Sequence, residues 1–102
     1  MRRRDEITEA TLAWCNDRRT EQDKEPLADL PLGTQEDPTS CPCGAATGLY
    51  VDWDFYVVLD ANGDKTEEVH ELPHEVQDFV KYFDAGQYPE YNIDVRGREL
   101  NG

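Results

Sequence analysis

From Leu49 to Asp60 apolar and polar positions alternate, with Leu49, Val51, Trp53, Phe55, Val57 and Leu59 set against Tyr50, Asp52, Asp54, Tyr56, Val58 and Asp60. A period of two belongs to a strand with one buried face. Asn62-Gly63 follows, a pair that accepts positive φ at both central positions of a tight turn, and a second run returns from Lys65 to Leu72. Residues 49–72 are therefore predicted to form an antiparallel β-hairpin. Counting outward from a two-residue turn sets Asp60 opposite Lys65, Val58 opposite Glu67, Tyr56 opposite Val69, Phe55 opposite His70 and Trp53 opposite Leu72. That register turns Trp53, Phe55, Val57, Leu59, His70 and Leu72 toward the core, and Asp52, Asp54, Tyr56, Val58, Asp60, Glu67 and Glu71 toward water.

The period then changes. Pro73 suits a first helical position, and Val76, Phe79, Val80 and Phe83 fall at i, i+3, i+4 and i+7 before Gly86, so a helix is predicted over 73–86. A lone hairpin is marginal, and this helix is expected to lie across its apolar face. Tyr91, Ile93 and Val95 alternate again, leaving room for a short third strand within 87–102, followed by a tail from Arg96 to Gly102 without pattern. Upstream, Ile7, Ala10, Trp14 and Cys15 make a narrow stripe on a helix within residues 1–19, running from about Asp5 to Arg19, with acids first and Arg18 and Arg19 last as the macrodipole prefers. Residues 20–48 show no period. Leu27, Leu30 and Leu32 among Pro26, Pro31, Gly33 and Pro38 describe an irregular connection, either anchored by those leucines or disordered. The predicted fold class is α+β: a single small domain over 1–102, with an antiparallel β-hairpin packed by a C-terminal helix, an N-terminal helix and a long irregular connection.

Charge narrows the choice of partner. The 102 residues carry 23 acidic and 10 basic side chains, a formal net charge of −13. Direct binding to nucleic acid is not expected, since phosphate contacts need Lys and Arg in excess. No apolar run exceeds Phe55 to Leu59, so no membrane span is expected. Arg2, Arg3 and Arg4 lead into Asp5 and Glu6 without an apolar stretch behind them, which points to a cytoplasmic protein. Leu, Ile, Val and Phe number twenty, and fourteen of these lie between Leu49 and Val95, so the core is lean and concentrated there.

Cys15, Cys41 and Cys43 are expected as thiols in a chain with no sign of export. Cys41-Pro42-Cys43-Gly44 places two of them on one tight turn. With Cys15 and a histidine, His70 or His74, they could form a tetrahedral zinc site of the kind that stabilises domains short of core. The same residues also fit a purely structural role, with Cys15 filling a core position, the loop thiols packed under Trp14, and His70 satisfied on the apolar hairpin face.

The run Leu12-Ala13-Trp14-Cys15-Asn16, then Pro26-Leu27, Leu30-Pro31, Asp37-Pro38 and Cys41-Pro42-Cys43-Gly44-Ala45-Ala46-Thr47-Gly48, resembles small uncharacterised proteins of actinobacteria and their phages. The resemblance covers about residues 12–51. It implies a bacterial or phage origin and an organised N-terminal half, and it carries no activity, cofactor or binding residue onto this chain.

Catalytic chemistry is thinly supported. Cys43 with His70 or His74 could pair a nucleophile with a base, but nothing marks an oxyanion site, and an enzyme is not expected. Asp60, Asn62, Asp64 and Glu71 fall at positions one, three, five and twelve of a calcium-loop count, yet Lys65 stands where that loop needs glycine. Two functional classes follow. One is an acidic interaction module that binds a basic protein surface through Asp52, Asp54, Tyr56, Glu67, Glu71, Glu75 and Asp78, with inhibition by mimicry of nucleic-acid charge within its reach. The other is a zinc-stabilised structural module, with Cys15, Cys41, Cys43 and His70 as ligands, whose acidity serves solubility.

Overall fold

The computed structural model describes residues 5–92. Helix α1 runs over Glu6–Glu21, α2 over Pro42–Thr47 and α3 over His74–Asp84; strands β1, β2 and β3 are Tyr50–Val51, Phe55–Leu59 and Lys65–Glu71, and a 3₁₀ turn spans Pro89–Tyr91. The strands form one antiparallel sheet in the order β1-β2-β3. The protein is thus a small α+β domain, as the sequence pattern predicts.

Helix α1 starts at a reciprocal cap. The Asp5 carboxylate accepts the Thr8 backbone N–H and the Thr8 hydroxyl oxygen accepts the Asp5 N–H, both at 2.8 Å, satisfying donors that a helix start leaves open. Its buried face holds Thr8, Thr11, Leu12, Trp14 and Cys15, wider than the predicted stripe. The threonines can be buried because their hydroxyls bond backbone carbonyls, Thr11 donating to Ile7 at 2.8 Å.

The connection between α1 and the sheet is ordered. Asn16 brackets Leu27, accepting its N–H at 2.8 Å and donating to its carbonyl at 3.0 Å. Leu30 is fully buried and Leu27 packs against the core, so two of the three leucine anchors hold, while Leu32 is half-buried and outside the core cluster. The tight turn expected at Cys41 is in fact the start of α2. Pro42 opens that helix, the Cys41 sulfur accepts the Gly44 N–H at 3.4 Å, and Gly48 closes it at φ 70°.

The hairpin register differs from the predicted one by a single residue at the turn. Asp60 N–H donates to the Asp64 carbonyl at 2.9 Å and Gly63 N–H to the Asp60 carbonyl at 3.0 Å, with Gly63 at φ 84°. The loop is therefore the three residues Ala61–Gly63 closed by a left-handed glycine, and not a two-residue turn at Asn62-Gly63. Asp60 favours the longer loop by accepting the N–H groups of Asn62 and Asp64 at 2.9 and 3.0 Å. Leu59 consequently faces Lys65, and after a bulge Val57 faces Val69, Tyr56 faces His70 and Phe55 faces Glu71.

The one-residue slip exchanges the two faces of β2, whereas His70 stays on the inner side opposite Tyr56, Leu72 is buried and Glu71 stays on the outer side opposite Phe55. Tyr56 and Val58, predicted to face water, pack against the core, with the Tyr56 ring edge-on to Trp14 at 5.3 Å. Phe55, Val57 and Leu59 lie on the outer face with Tyr50 and Val69; Val57 is buried there, while Val69 is 56% exposed. Trp53, expected in the core, is 53% exposed. The alternation from Leu49 to Leu59 is also broken at Asp52–Asp54, where the Asp52 N–H bonds the Phe55 carbonyl at 2.9 Å and folds the run into β1 and β2. The third strand thus comes from within that run. Of the predicted strand near Tyr91, Tyr91 closes the 3₁₀ turn and Asn92 makes an isolated parallel bridge to Gly33, while Ile93, Val95 and the tail from Arg96 lie outside the described residues.

Helix α3 buries Val76, Phe79, Val80 and Phe83, the predicted apolar set, and Gly86 at φ 83° follows its end. It packs chiefly against α1 and not across the hairpin. Phe79 lies at the centre of an aromatic cluster with Phe83, Tyr88 and Tyr91. The core therefore sits between the helices and the inner face of the sheet, leaving the outer sheet face and β3 to solvent.

Candidate functional site

The three thiols are buried together. Cys15 and Cys43 have no exposed surface and Cys41 is 3% exposed. Hydrogen bonding with Cys15, together with burial, pushes the Cys43 thiol well above its ordinary range, and burial pushes the Cys41 thiol up to about 11. Such groups favour the neutral, unreactive form. His70 does not join them: its ring stacks on Tyr56 at 5.1 Å and meets Glu68 at 3.1 Å, with its side chain 48% exposed. His74 lies at the exposed start of α3, 3.6 Å from Asp78. Among the described residues, no group of three or more His, Cys, Asp and Glu side chains is arranged to hold a metal ion.

The residues proposed to meet a partner are scattered over more than one surface. Every residue of β3 is exposed, which puts Glu67, Glu68 and Glu71 at the open edge of the sheet. Asp54 and Glu75 are exposed and Asp78 half-exposed. Tyr56 differs from these, lying half-buried with its ring against both Trp14 and His70. A two-residue turn would set Asp54 opposite Glu71, like charge against like; instead Glu71 faces Phe55 and the Asp54 carbonyl accepts the Leu72 N–H at 3.0 Å. Among the described residues, Asp54, Glu67, Glu71 and Glu75 have no cationic group within ion-pairing distance, whereas Glu21 pairs with Arg18. Lys65 is turned away from the acids, its ammonium 3.9 Å above the Tyr50 ring.

A hollow of about 240 Å³ lies between the β1–β2 turn, the end of α3 and the loop before α2. Val51, Val80, Pro38 and Cys41 form its apolar part, Trp53 a wall, and Glu36, Asp37, Asp52 and Asp84 supply carboxylates. Asp84 ties the three segments together: Oδ2 accepts the Trp53 indole N–H at 2.8 Å and Oδ1 the Glu36 backbone N–H at 2.9 Å. Gln35 donates to the carbonyls of Phe83 and Asp84 at 3.1 and 3.0 Å, closing the end of α3. Hydrogen bonds from Thr39, hydroxyl first and backbone second, hold the Asp37 carboxyl below its ordinary range. Only Asp52 in this hollow belongs to the expected partner-binding set. The hairpin pattern places Trp53 in the core, and Asp84, a polar position at the end of α3, carries no sequence signal of its own.

Fold and surface together define a small α+β domain with an acidic exterior. Neither a protein-family model, nor a curated protein, nor a solved structure matches the chain. No helix among the described residues is long and apolar enough to cross a membrane.

Proposed function

We propose that this protein is a small acidic, non-enzymatic interaction module whose exposed carboxylates engage a basic surface of another protein. The observation that carries this reading is the open edge strand β3, exposed along its whole length and bearing Glu67, Glu68 and Glu71, with Glu68 in contact with the His70 ring at 3.1 Å. Unbalanced like charge destabilises a compact domain and raises the rate of encounter with opposite charge. It also serves as a barrier to edge-to-edge aggregation, since charged side chains blunt an open strand; both effects act against a second copy of this chain and in favour of a cationic partner.

The scale suits a protein surface that ordinarily meets nucleic acid. The long dimension is 42 Å, and duplex DNA of that length carries about 25 phosphate charges at roughly one per 1.7 Å. The formal charge of −13 is within a factor of about two of that. Mimicry of nucleic-acid charge is the form of inhibition this reading supports.

The test is affinity capture from bacterial lysate at low and high salt with the wild type and with a variant carrying Asp54→Asn, Glu67→Gln and Glu71→Gln. Proteins held only at low salt by the wild type and lost by the variant, at unchanged thermal stability, are the expected result. Identical capture by both chains removes this surface from the proposal.

A further inference from the structure

We infer that the hollow beside Trp53 receives a single arginine side chain from the basic partner. This rests on the reading above and gives it a specific contact. At about 240 Å³ the hollow is smaller than the range of roughly 300–1,000 Å³ typical of small-molecule sites, and its size suits one side chain.

Its chemistry has two parts that arise independently. The first is apolar: Val51 and Val80, each almost completely buried, lie beneath it, and Trp53 stands beside it at 53% exposure. A tryptophan left half in water is not required by the packing of the domain, yet this one is fixed, with its indole N–H bonded to Asp84 at 2.8 Å. The second part is charge. Asp84 bonds the indole and Asp52 the Trp53 backbone N–H, Glu36 and Asp37 also line the hollow, and no Lys or Arg is among the lining residues. Asp84 is also the last residue of α3, where the helix dipole adds partial negative charge.

Arginine fits both parts at once. Its guanidinium is planar, lies flat on an indole, is weakly hydrated, and donates in its own plane to carboxylates at the ring's edge. A lysine ammonium is a strongly hydrated point charge that gains less from an aromatic wall. The methylene stem of arginine would cover Val51 and Val80. An anionic ligand is repelled by the carboxylates.

The experiment uses the intact ¹⁵N-labelled protein, whose two indole N–H signals belong to Trp14 and Trp53. The probe is acetyl-glycyl-arginyl-glycinamide, compared with peptides carrying lysine or citrulline, the neutral isostere, in place of arginine. The expected result is a saturable shift of the Trp53 signal in the millimolar range with Trp14 unmoved, and binding weaker by about tenfold with citrulline and with the Asp52→Asn variant. Asp52 Oδ1 accepts the Trp53 backbone N–H at 2.8 Å, a bond that an asparagine side-chain carbonyl can keep, and the indole is held by Asp84, so this variant removes charge and leaves the wall in place. No saturable shift by about 20 mM peptide, or an equal response to citrulline, overturns the site; lysine binding as tightly as arginine overturns the choice of side chain. Failure of the broader reading looks different: the Trp53 signal responds to the arginine peptide, which supports the site, while no salt-sensitive protein partner is captured. Failure of the site alone is a salt-sensitive partner captured equally by the wild type and Asp52→Asn, with no response to the peptide.

Discussion

Replacing Phe79 by alanine tests where the core lies. Phe79 has no exposed surface, and its ring centroid is 5.0 Å from Tyr88 and 6.0 Å from both Phe83 and Tyr91. A buried Phe→Ala change costs about 3–5 kcal/mol through lost transfer energy and a residual cavity. Aromatic pairs add about 0.5–1.5 kcal/mol each beyond area, which places this site in the upper half of that range. Against a total of about 5–15 kcal/mol for a domain of this kind, a loss of about 4 kcal/mol removes a large share of stability. At about 4–8 °C per kcal/mol, the melting temperature should fall by at least roughly 15 °C. Phe55 provides the contrast, because it is half-buried on the outer sheet face. Its loss should cost about 1–1.5 kcal/mol, roughly half the value of burying a whole side chain of that type. Circular dichroism melts and urea titrations of both variants measure the difference. Equal losses at the two sites would restore the two-residue turn register and refute the face assignment, and a Phe79→Ala change below about 1 kcal/mol would refute the core.

Gly33→Ala should be strongly destabilising, by about 1–3 kcal/mol or more, because the added carbon would meet Pro42 N, Cys41 C at 2.6 Å and Pro42 Cδ at 2.6 Å, all held by the start of α2; a melt like wild type refutes that close approach. The buried thiols should resist an alkylating reagent in the native protein and react once it is denatured, and full labelling of the native state within minutes would contradict their burial. Cys41 and Cys43 are held neutral by the fold, their folded pKa values lying above the value of about 8.5 expected in the unfolded chain. Their contribution to stability is therefore full below that pH and is lost as pH rises toward about 11, where Cys41 titrates. Urea midpoints between pH 7 and 10.5 measure this, and replacement of both residues by serine or alanine should flatten the decline.

The local pattern was a good guide where a single period decided the outcome. Val76, Phe79, Val80 and Phe83 read as one face of a helix, and they are buried on one face of α3. Acids before Arg18 and Arg19 read as a helix, and α1 is one. Pro42 at a helix start and Gly48 after its end are also signals for α2, a helix too short to show an apolar period. The sequence by itself therefore determined α1, α3, the antiparallel pairing of β2 with β3 and the excess of acidic charge, since each depends on composition or on neighbours within one turn or strand; it did not determine α2, the break of the first strand into β1 and β2, or the share of the core that Leu12, Trp14, Cys15, Leu30, Cys41 and Cys43 supply.

Tertiary structure decided the rest. The choice between a two-residue and a three-residue turn at Asn62-Gly63 differs by one residue, and that residue exchanges the two faces of β2 against those of β3; Asp60, bonding forward to Asn62 and Asp64, tips the choice. Asn16 carries no local signal for its role, which is to bond both backbone groups of Leu27, eleven residues on. The candidate arginine site was hidden for the same reason. Trp53 from the sheet, Asp84 from α3 and Glu36 from the connection are remote in sequence, and only packing brings an indole, a carboxylate and a backbone N–H to one hydrogen-bonded point. A period of two or of 3.6 reports what a side chain's own element does with it, whereas a site built from three elements exists only once their mutual packing is fixed.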